Sequence, residues 1–484
     1  MRLTSTTDAP SATTADTIVV GVFEGEDVAH DVEGGALGAL LERGEAKRSF
    51  RHVAVAHAAG RRWLLVGLGK REAFDAERAR LVAVSALARA NELGTTSLCW
   101  EVPHHVSGAV AGGLVGGTLL ADYRFERYKN LKDDEPTRIE ELILSAHDEL
   151  GPAVALAEVL ATAQNAARDL QNQPSNDLTP TALADRAREL AAEIDGLEVE
   201  VEGREQIVAR GMGAFACVAQ GSDEEPALIV LRWNPPGAAA DAEPLGLVGK
   251  AVTFDTGGIS IKPSAGMEGM KFDMSGGAAV LEATGAIARL GLAVPVIAVI
   301  GSTDNMPSGR AVKPGDIVRA MDGTSIEVNN TDAEGRLVLS DCILHARALG
   351  AARLVDVATL TGGVVTALGS VYAGVMSNDD DWCAAVVAAG ERAGELAWRL
   401  PLHERYAEDV KGVYADLTNT GRSRKASPIM GGEFLHHFAG DTPWAHLDIA
   451  GMSDDAGLPY ASSGGTGWGV RLLVELATAL AADR

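Results

Sequence analysis

The sequence of 484 residues has only four cysteines and no hydrophobic run long enough to cross a bilayer. Because the cysteines lie far apart and form no CxxC pair, the sequence argues against a disulfide framework and against a thiolate zinc site. The four positions are Cys99, Cys217, Cys342 and Cys383. This pattern is typical of a protein of the reducing cytoplasm, and we expect that compartment here.

The segment closest to a membrane span, residues 106–121, has 16 residues, which is short of the roughly 20 that a spanning helix needs. Its many glycines favour close packing against neighbouring backbone instead, so we expect no membrane association. Residues 1–16 are rich in Ser, Thr, Ala and Asp and contain no apolar segment, so they do not resemble a secretory signal. We expect them to form a mobile N-terminal tail.

Positive charge is also scarce. The chain has 42 Lys+Arg against 67 Asp+Glu, which gives a formal net charge of −25 at pH 7. A field of this sign repels phosphate backbones and anionic lipids, so it argues against nucleic acid and membrane surfaces as partners. Hydrophobic residues make up 46% of the chain and charged residues 23%, a composition with ample apolar material for a folded core.

The order of apolar runs predicts an α/β protein of two domains. In the first part, short apolar runs alternate with a long helical stretch. We expect strands at 17–23, 52–57, 63–67, 97–102 and 141–145, and a helix at 72–92. The predicted organisation is a tail over 1–16, a smaller N-terminal α/β domain over 17–150, a connecting helix over 151–172 and a larger C-terminal α/β domain over 173–484.

The larger domain carries continuous apolar runs of the buried-strand type, separated by helical stretches. The runs are 227–232, 245–248, 294–300 and 354–358, and helices are expected at 181–194, 277–290 and 337–349. This alternation predicts a mixed central sheet covered by helices. In such sheets ligand sites gather at the carboxyl ends of the strands.

Several familiar motifs are incomplete. Residues 67–69 have the form GxG after a predicted strand, but Glu72 stands where a dinucleotide fingerprint needs its third glycine. The eleven histidines form no HExxH motif, and we interpret the adjacent pairs at 104–105 and 436–437 as surface or structural. No GxSxG sequence signals an exposed serine nucleophile.

Two clusters of charged residues are the strongest chemical signal. The first follows a predicted apolar strand and the second comes directly before a predicted helix: Lys250, Asp255, Lys262 and Asp273, then Asp332, Glu334 and Arg336. Burying such groups is costly unless they are paired or hold a cation. Shared carboxylates around two divalent ions about 3.5–4 Å apart are one solution, and the oxygen-rich set favours Mn²⁺, Mg²⁺ or Zn²⁺. A buried ion-pair network is the other, and clustering alone leaves both open.

The second cluster closely resembles the leucyl aminopeptidase (cytosol aminopeptidase) family. Residues 330–337, NTDAEGRL, match that family's signature without a substitution. The resemblance extends through YRFERYK at 123–129, NQPSN at 172–176, NMP at 305–307, WAHLDIAG at 444–451 and GTG at 465–467. It covers the C-terminal domain and the second half of the N-terminal one, and it implies that the C-terminal domain is a catalytic metallopeptidase domain.

The resemblance implies an aminopeptidase with two divalent ions per subunit, either Mn²⁺ or Zn²⁺, with Mg²⁺ as a third choice. In the family pattern Asp255 and Glu334 bridge the ions, Asp332 completes one site, and Lys250 and Asp273 complete the other. A lysine ligand must be neutral, and an adjacent dication enforces this by disfavouring the ammonium form.

The resemblance also implies catalytic roles for two cations. Lys262 would polarise the scissile carbonyl and stabilise the oxyanion, and Arg336 would hold a bicarbonate ion that carries the proton of the attacking water. The substrate's free amine would take a metal position, so peptides with a free N-terminal amine are the expected substrates. Met270, Thr359 and Gly362 would line a mostly apolar pocket for a Leu-like residue, with core packing and a tight turn as the alternatives.

The resemblance further implies a homohexamer, which no pattern in the sequence itself encodes. Ala251, Thr256 and Ser275 depart from the Gly, Ser and Gly usual in the family, and none of the three removes a ligand. Two other functions stay open. One is regulation of DNA, which the net charge opposes. The other is a silent scaffold with structural metals, against which the presence of Lys262 and Arg336 argues.

Overall fold

The computed structural model of the chain describes residues 1–32, 34–130, 138–238, 242–423 and 425–482. The chain divides into two compact units, Met1–Thr162 with Leu458–Ala461, and Ala163–Gly457 with Ser462–Arg484. Among the described residues, no helix is both long and apolar enough to cross a membrane. Each unit is an α/β structure built on its own sheet, as the sequence predicts.

The first unit contains a six-stranded sheet. Its strands are β1 (Arg2–Thr6), β2 (Thr17–Phe23), β3 (Val53–Ala58), β4 (Arg61–Gly69), β5 (Ser97–Glu101) and β6 (Glu141–Ser145), and its helices are α1 (Ala36–Glu42), α2 (Ala76–Glu92) and α3 (Gly108–Ala121). The strand order is β1-β6-β5-β2-β4-β3, and every neighbouring pair is parallel except β3 with β4. Helix α4 (Gly151–Asn172) occupies the segment predicted as a connecting helix.

Both faces of this sheet are covered by helices, so successive side chains of a strand, which point to opposite sides, enter different cores. Val19 of β2 packs in one core with Val82 of α2 and Leu114 of α3. Its neighbour Ile18 belongs to a second core, which includes Leu37 of α1.

Helix α3 fills most of the glycine-rich segment considered above for a membrane span. A Cβ on Gly113 would collide with the carbonyl oxygen of Ala76, and a Cβ on Gly117 would collide with the backbone of Arg80. Both residues struck belong to α2, so the two helices approach backbone to backbone. The close packing that the sequence predicts for this segment is confirmed.

A late segment of the chain completes the first unit. Tyr460 and Ala461 form a small buried cluster with Leu120 and Ala161. The hydroxyl of Tyr460 also donates a hydrogen bond of 3.1 Å to Glu77 Oε1. The unit is therefore assembled from two stretches that lie almost 300 positions apart in the sequence.

The prediction of a mobile tail over residues 1–16 is wrong for Arg2–Thr6, which form strand β1. Strand β1 pairs in parallel with β6, with Arg2 opposite Glu141, and the two side chains form an ion pair of 2.6 Å. Residues Pro10–Ala12 form a short 3-10 turn. The prediction missed β1 because most of its side chains are exposed, and the unpaired edge of β6 recruits it through the backbone.

The second unit contains an eight-stranded sheet and a small three-stranded one. Its strands are β7 (Leu197–Glu202), β8 (Ala227–Trp233), β9 (Leu245–Asp255), β10 (Val296–Asn305), β11 (Asp316–Arg319), β12 (Ser325–Val328), β13 (Arg353–Ala358), β14 (Ala373–Ser377), β15 (Ala397–Arg399), β16 (Leu417–Thr418) and β17 (Trp444–Asp448). Its helices are α5 (Pro180–Glu193), α6 (Arg204–Ala209), α7 (Gly213–Ala219), α8 (Ser275–Arg289), α9 (Gly335–Ala348), α10 (Gly362–Leu368), α11 (Asp380–Ala393), α12 (Glu404–Asp409), α13 (Ser427–Ala439) and α14 (Val470–Ala482), with a 3-10 helix at Met267–Met274.

The large sheet has the order β15-β14-β17-β13-β9-β10-β8-β7. The four central strands, from β17 to β10, are parallel to one another, whereas β14 is antiparallel to β17 and β8 is antiparallel to both of its neighbours. The mixed central sheet predicted from the sequence is therefore confirmed. The small sheet has the order β11-β12-β16.

Helices cover both faces of the large sheet. On one face, Val248 of β9 packs in a core with Phe215 of α7, Leu339 of α9 and Phe434 of α13. On the other, α8 comes so close to β9 that a Cβ on Gly277 would lie 2.6 Å from the Cβ of Ala251. Because side chains alternate along the strand, residue 250 shares the face of residue 248 and points toward α9.

Strand β9 is longer than the apolar run 245–248 that predicted it, and it continues to Asp255. Lys250 therefore lies within the strand, opposite Gly301 of β10, and the expectation that it follows the strand is wrong. The strand accommodates a lysine there because its backbone pairs with β10 and its side chain forms ion pairs with Asp273 and Glu334. Asp255 stands at the carboxyl end, where the sequence analysis expects a site.

Candidate active site

The charged residues singled out in the sequence converge at the carboxyl end of β9. This strand supplies Lys250 and Asp255, and the 3-10 helix Met267–Met274 supplies Asp273. The turn before α9 supplies Asp332 and Glu334, and Glu334 already has helical backbone angles. The central parallel strands thus bring together residues that lie up to 84 positions apart, because their carboxyl ends share one edge of the sheet.

The ammonium group of Lys250 donates to three acceptors. Its Nζ atom lies 2.8 Å from Asp273 Oδ1, 2.8 Å from Glu334 Oε1 and 2.9 Å from the carbonyl oxygen of Thr359. Burial disfavours the charged form, but Asp273, Glu334 and Asp255 outweigh burial and raise the pKa of Lys250 above its ordinary value. Without bound metal, Lys250 is therefore a cation.

Lys262 forms the second cationic contact. Its Nζ atom lies 2.8 Å from Asp255 Oδ2 and also pairs with Asp332 Oδ1. The side chain of Lys262 is 21% exposed, whereas that of Lys250 is only 3% exposed. Of the two lysines, Lys262 is therefore the one that solvent and a substrate can reach.

The three most buried carboxylates differ in their acidity. Burial and the neighbouring Glu334 raise the pKa of Asp255 to about 6, and burial raises the pKa of Asp273 well above its usual range. Burial also opposes ionisation of Glu334, yet Lys250 and Lys262 hold its pKa below the ordinary value. The cluster therefore carries more acid groups than its two lysines neutralise, which is the charge pattern of a cation site.

This donor set fits divalent metal. Asp255, Asp273 and Glu334 each offer a carboxylate oxygen, and the three oxygens lie within 4.8 Å of one another. Across the described residues, the buried atoms Asp273 Oδ2 and Glu334 Oε2 have no hydrogen-bond partner. A closed ion-pair network would leave these oxygens unsatisfied at an energetic cost, whereas a cation between them satisfies both. The geometry thus favours the metal alternative over the ion-pair alternative.

A glycine makes room for the central lysine. A Cβ on Gly335 would lie 2.6 Å from Lys250 Cε and 2.7 Å from Lys250 Nζ, both closer than real Cβ contacts allow. A lysine side chain can usually bend away, but this one is held by three acceptors. The first residue of α9 therefore has to be glycine for the cluster to keep its shape.

Replacing Gly335 with alanine is expected to weaken metal binding by about 10–100-fold, because the new methyl group displaces the Lys250 side chain from its acceptors. Metal titration of the chelator-stripped protein would measure this change. The same substitution at Gly362, which is exposed and has open space beside it, is the control and is expected to leave metal affinity unchanged. Equal affinity in the Gly335 variant and the unmodified protein would contradict the steric argument.

Arg336 lies in the first turn of α9 and is buried, at 6% exposure. Its Nη1 atom donates to the carbonyl oxygen of Asn419 at 2.8 Å, and its Nε atom has no hydrogen-bond partner in the described part of the chain. Burial lowers the pKa of Arg336 to about 10, so the guanidinium remains charged at neutral pH. A buried cation with an unused donor suits a small planar anion.

The three predicted pocket residues lie on different elements around the cluster. Thr359 follows β13, and its hydroxyl donates to Asp273 Oδ1 at 2.8 Å while its carbonyl accepts from Lys250. Met270 lies on the same 3-10 helix as Asp273 and is half-buried. Gly362 is exposed and begins α10, where the Thr361 side chain caps the helix. The side chain of Thr359 is therefore engaged with the carboxylates.

Two asparagines of the site received no role in the sequence analysis. Asn305 ends β10, and its Nδ2 atom donates to Asp255 Oδ1 at 2.8 Å and to the Thr331 carbonyl at 3.0 Å. Asn419 follows β16 and donates to the Asn330 carbonyl at 2.7 Å. Asn305 had a signal, since it ends a strand beside Asp255, whereas Asn419 contacts mainly the backbone of a distant loop and had none.

Two family models match the sequence. The model of the cytosol aminopeptidase family, catalytic domain, matches residues 165–474, and that of the family's N-terminal domain matches residues 19–132. The chain belongs to the cytosol aminopeptidase family. It is accordingly a metal-dependent aminopeptidase, a hydrolase, and the resemblance identified in the sequence is confirmed.

Relatives described as "Probable cytosol aminopeptidase" match almost the full chain. The one from Roseiflexus castenholzii is 43% identical and covers 98% of this chain and 98% of its own length. The one from Solibacter usitatus is 45% identical and covers 96% of each. The similarity therefore includes both units of the chain.

Solved structures of similar proteins share the two-unit architecture. The bottromycin maturation enzyme BotP in complex with Mn is 35% identical and superposes with a TM-score of 0.87, covering 96% of this chain and 100% of that one. A mutant of tomato leucine aminopeptidase is 30% identical, with a TM-score of 0.89 and coverage of 99% and 96%. The predicted fold class is confirmed by these likenesses.

Proposed function

We propose that the chain releases N-terminal amino acids, with Leu-like residues preferred, from peptides by hydrolysis at two divalent metal ions. The observation that carries this proposal is the set of three buried carboxylates within 4.8 Å, with two oxygens that lack a hydrogen-bond partner among the described residues. Mn²⁺ or Zn²⁺ suits a set of carboxylates and one amine, with Mg²⁺ as the third choice. When bound, the ions supply activation of water and polarisation of the scissile carbonyl.

Five side chains would hold the two ions. Asp255 and Glu334 would bridge them, Asp332 would complete one site, and Lys250 and Asp273 would complete the other. The ion pairs of these side chains support this division, because Lys250 is paired with Asp273 and Glu334, while Asp332 is linked to Asp255 through Lys262. Lys250 must give up a proton when it becomes a ligand.

Lys262 would act on the substrate. Its ammonium group is charged, since Asp255 and Glu334 outweigh burial and raise its pKa, and it is partly exposed. A fixed cation at this position stabilises the negative charge that develops on the carbonyl oxygen as water adds to the peptide bond. The neighbouring carboxylates keep the side chain in place before the substrate binds.

Arg336 would hold a bicarbonate ion. The unused Nε donor and the buried positive charge support an anion beside it, and a planar guanidinium suits a planar carboxylate-like group. Such an anion supplies a proton acceptor for the attacking water. Asn419 fixes the guanidinium through its carbonyl oxygen, so the remaining donors keep a constant direction.

The substrate would be selected at its N-terminus. A free amine would occupy a metal position, so an internal peptide bond or a blocked N-terminus lacks the required ligand. Met270, Thr359 and Gly362 would line the pocket for the first side chain. The apolar part of that wall would come from Met270, because the Thr359 hydroxyl is engaged with Asp273.

Stripping the metal with a chelator is expected to abolish hydrolysis of leucine p-nitroanilide, and adding Mn²⁺ or Zn²⁺ is expected to restore it. N-acetylated leucine p-nitroanilide is the matched substrate control, and it should remain uncut because its nitrogen cannot bind a metal ion. Release of nitroaniline measures both reactions. Cleavage of the acetylated substrate at a similar rate would contradict amine recognition, and no cleavage with any metal would favour a scaffold or a regulatory role.

We also propose that the chain assembles as a homohexamer in the cytoplasm and takes peptides, and not nucleic acid, as partners. The family membership supports the assembly, and the net charge of −25 supports the exclusion of nucleic acid. Light scattering after size exclusion should give six times the chain mass of 50.3 kDa. A monomer mass at working concentrations would contradict the assembly.

A further inference from the structure

A cluster of histidines lies in the first unit, at the carboxyl ends of three parallel strands. His30 follows β2, His104 follows β5 and His147 follows β6. Each offers a ring nitrogen, and these nitrogens all lie within 4.8 Å of one another. The sequence analysis assigns the pair His104–His105 to the surface or to a structural role, because the histidines form no HExxH motif.

The ring positions suit a shared ion. His104 Nε2 lies 3.0 Å from His147 Nε2, and the ring centroids of His30 and His104 are 4.9 Å apart. Two nitrogens that bind one tetrahedral zinc ion, each at about 2.0–2.1 Å, are roughly 3.3 Å from one another. The observed separation is therefore a few tenths of an ångström from that of a ligand pair, and ion binding would replace the hydrogen bond between the two rings.

A buried carboxylate accompanies the three rings. Glu101, the last residue of β5, is 7% exposed, and its Oε1 atom is hydrogen-bonded to His30 Nδ1. Its Oε2 atom is buried and has no hydrogen-bond partner among the residues that the structure describes. A carboxylate bonded to a ligand histidine fixes the ring and supplies negative charge that a dication requires.

The loop that carries His104 is held in place. Arg71 Nη1 donates to the His104 carbonyl oxygen at 2.8 Å, and the same guanidinium binds both oxygens of Glu26. A ligand ring on a fixed backbone is already in position when a metal ion binds.

The cluster opens into a cavity of about 610 Å³, which Asp8, Trp63 and Ser145 also line. The cavity lies where the order of the strands in the six-stranded sheet reverses, between β2 and β5. Strands β2 and β5 are neighbours, but β4 lies on the far side of β2 and β6 on the far side of β5. In open α/β sheets, the crevice at such a point is the usual place for a ligand.

We propose that His30, His104 and His147 bind one zinc ion in the first unit, with Glu101 as the carboxylate bonded to a ligand ring. Imidazole ligands favour zinc over Mn²⁺ and Mg²⁺, which prefer oxygen. Three protein ligands leave a fourth position open to the cavity. This site is distinct from the proposed peptidase site, whose ligands all belong to the second unit.

The test measures the number of zinc ions bound per chain of 484 residues. The chelator-stripped chain and its double variant His104→Ala/His147→Ala would each be equilibrated with zinc, freed of unbound metal and measured by plasma mass spectrometry. We expect the double variant to hold one zinc ion fewer per chain. It should still hydrolyse leucine p-nitroanilide at the unmodified rate, because both substituted residues belong to the first unit and the proposed peptidase residues to the second.

Two further variants serve as a control and as an independent test of the site. His57→Ala removes an exposed histidine of β3 outside the cluster and should retain the full zinc content. His30→Ala removes a half-exposed ligand and is expected to weaken the site by at least about tenfold in a zinc titration, even if the double variant does not fold. The X-ray absorption spectrum of the zinc-loaded unmodified chain should show imidazole ligation, and this contribution should be absent from the spectrum of the double variant.

Equal zinc content in the double variant and the unmodified chain would overturn the proposal, and so would equal zinc affinity in the His30 variant. Loss of zinc together with unchanged peptide hydrolysis would support it. Because the zinc count does not depend on activity, the outcome is separate from that of the proposed peptidase function. A chain that hydrolyses no substrate could still carry this site, and an active peptidase could lack it.

Discussion

Replacing Glu334 with alanine is expected to abolish peptide hydrolysis and to empty the metal centre. Glu334 Oε1 contacts Lys250, and its Oε2 atom is the buried oxygen that the described residues leave without a hydrogen-bond partner. Side chains that only orient a ligand already contribute about 10–100-fold to metal affinity, so loss of the carboxylate that we propose as a bridge should lower that affinity by more than about a hundredfold. The rate constant kcat should fall at least about a thousandfold, because a bound metal ion stabilises the charge that develops in the transition state by several kcal/mol.

Metal analysis and kinetics on the same preparations would check this expectation. The matched control is Glu282→Gln, which changes another buried glutamate of the second unit, one that pairs with Arg186 at 2.8 Å. That change should lower the melting temperature without removing metal or activity. A Glu334 variant that remained active and fully loaded with metal would refute the assignment of the site.

Replacing Lys262 with alanine should separate catalysis from metal binding. Lys262 Nζ approaches Asp255 Oδ2 at 2.8 Å, but the proposed role of the ammonium group is toward the substrate carbonyl. Removal of one preorganised electrostatic donor typically costs about 10²–10³ in kcat. We therefore expect kcat to fall by about that factor, while bound metal stays near the unmodified level.

Lys271→Ala is the control for this second expectation. Lys271 is another lysine close to the site, on the 3-10 helix Met267–Met274, but its ammonium group donates to the Asn172 carbonyl at 2.9 Å and not to the carboxylate cluster. Its replacement should leave kcat within a few-fold. If the Lys262 variant lost metal in proportion to activity, Lys262 would be a structural partner of the carboxylates, and the ion-pair interpretation would gain support.

Much of the fold could be predicted because its central strands are apolar without interruption. The run 354–358 predicted β13, and 227–232 predicted β8, nearly to their observed bounds. Strand β1 could not be found, because Arg2–Thr6 is held by backbone pairing at a polar edge. The length of β9 was missed for a related reason, since Lys250 interrupts its apolar pattern.

The candidate site was predictable from charge, but only in part. Lysines and acids directly beside apolar strands indicated buried charge, and the structure brings Lys250, Asp273 and Glu334 into direct contact. The sequence could not show that Thr359 turns its hydroxyl toward Asp273, because that contact depends on how β13 aligns with the 3-10 helix. It could not show the contacts of Asn419 either, because they depend on the pairing of β16 with β12, which brings Asn419 to the loop at Asn329 and Asn330.

The return of Leu458–Ala461 to the first unit has a consequence for biosynthesis. Translation proceeds from the N-terminus, so residues 1–162 leave the ribosome long before Tyr460 does. Until then Leu120 and Ala161 lack two of the residues that bury them, and Glu77 lacks the Tyr460 hydroxyl. The N-terminal unit can begin to fold early, but it reaches its final packing only after Leu458–Ala461 has been synthesised.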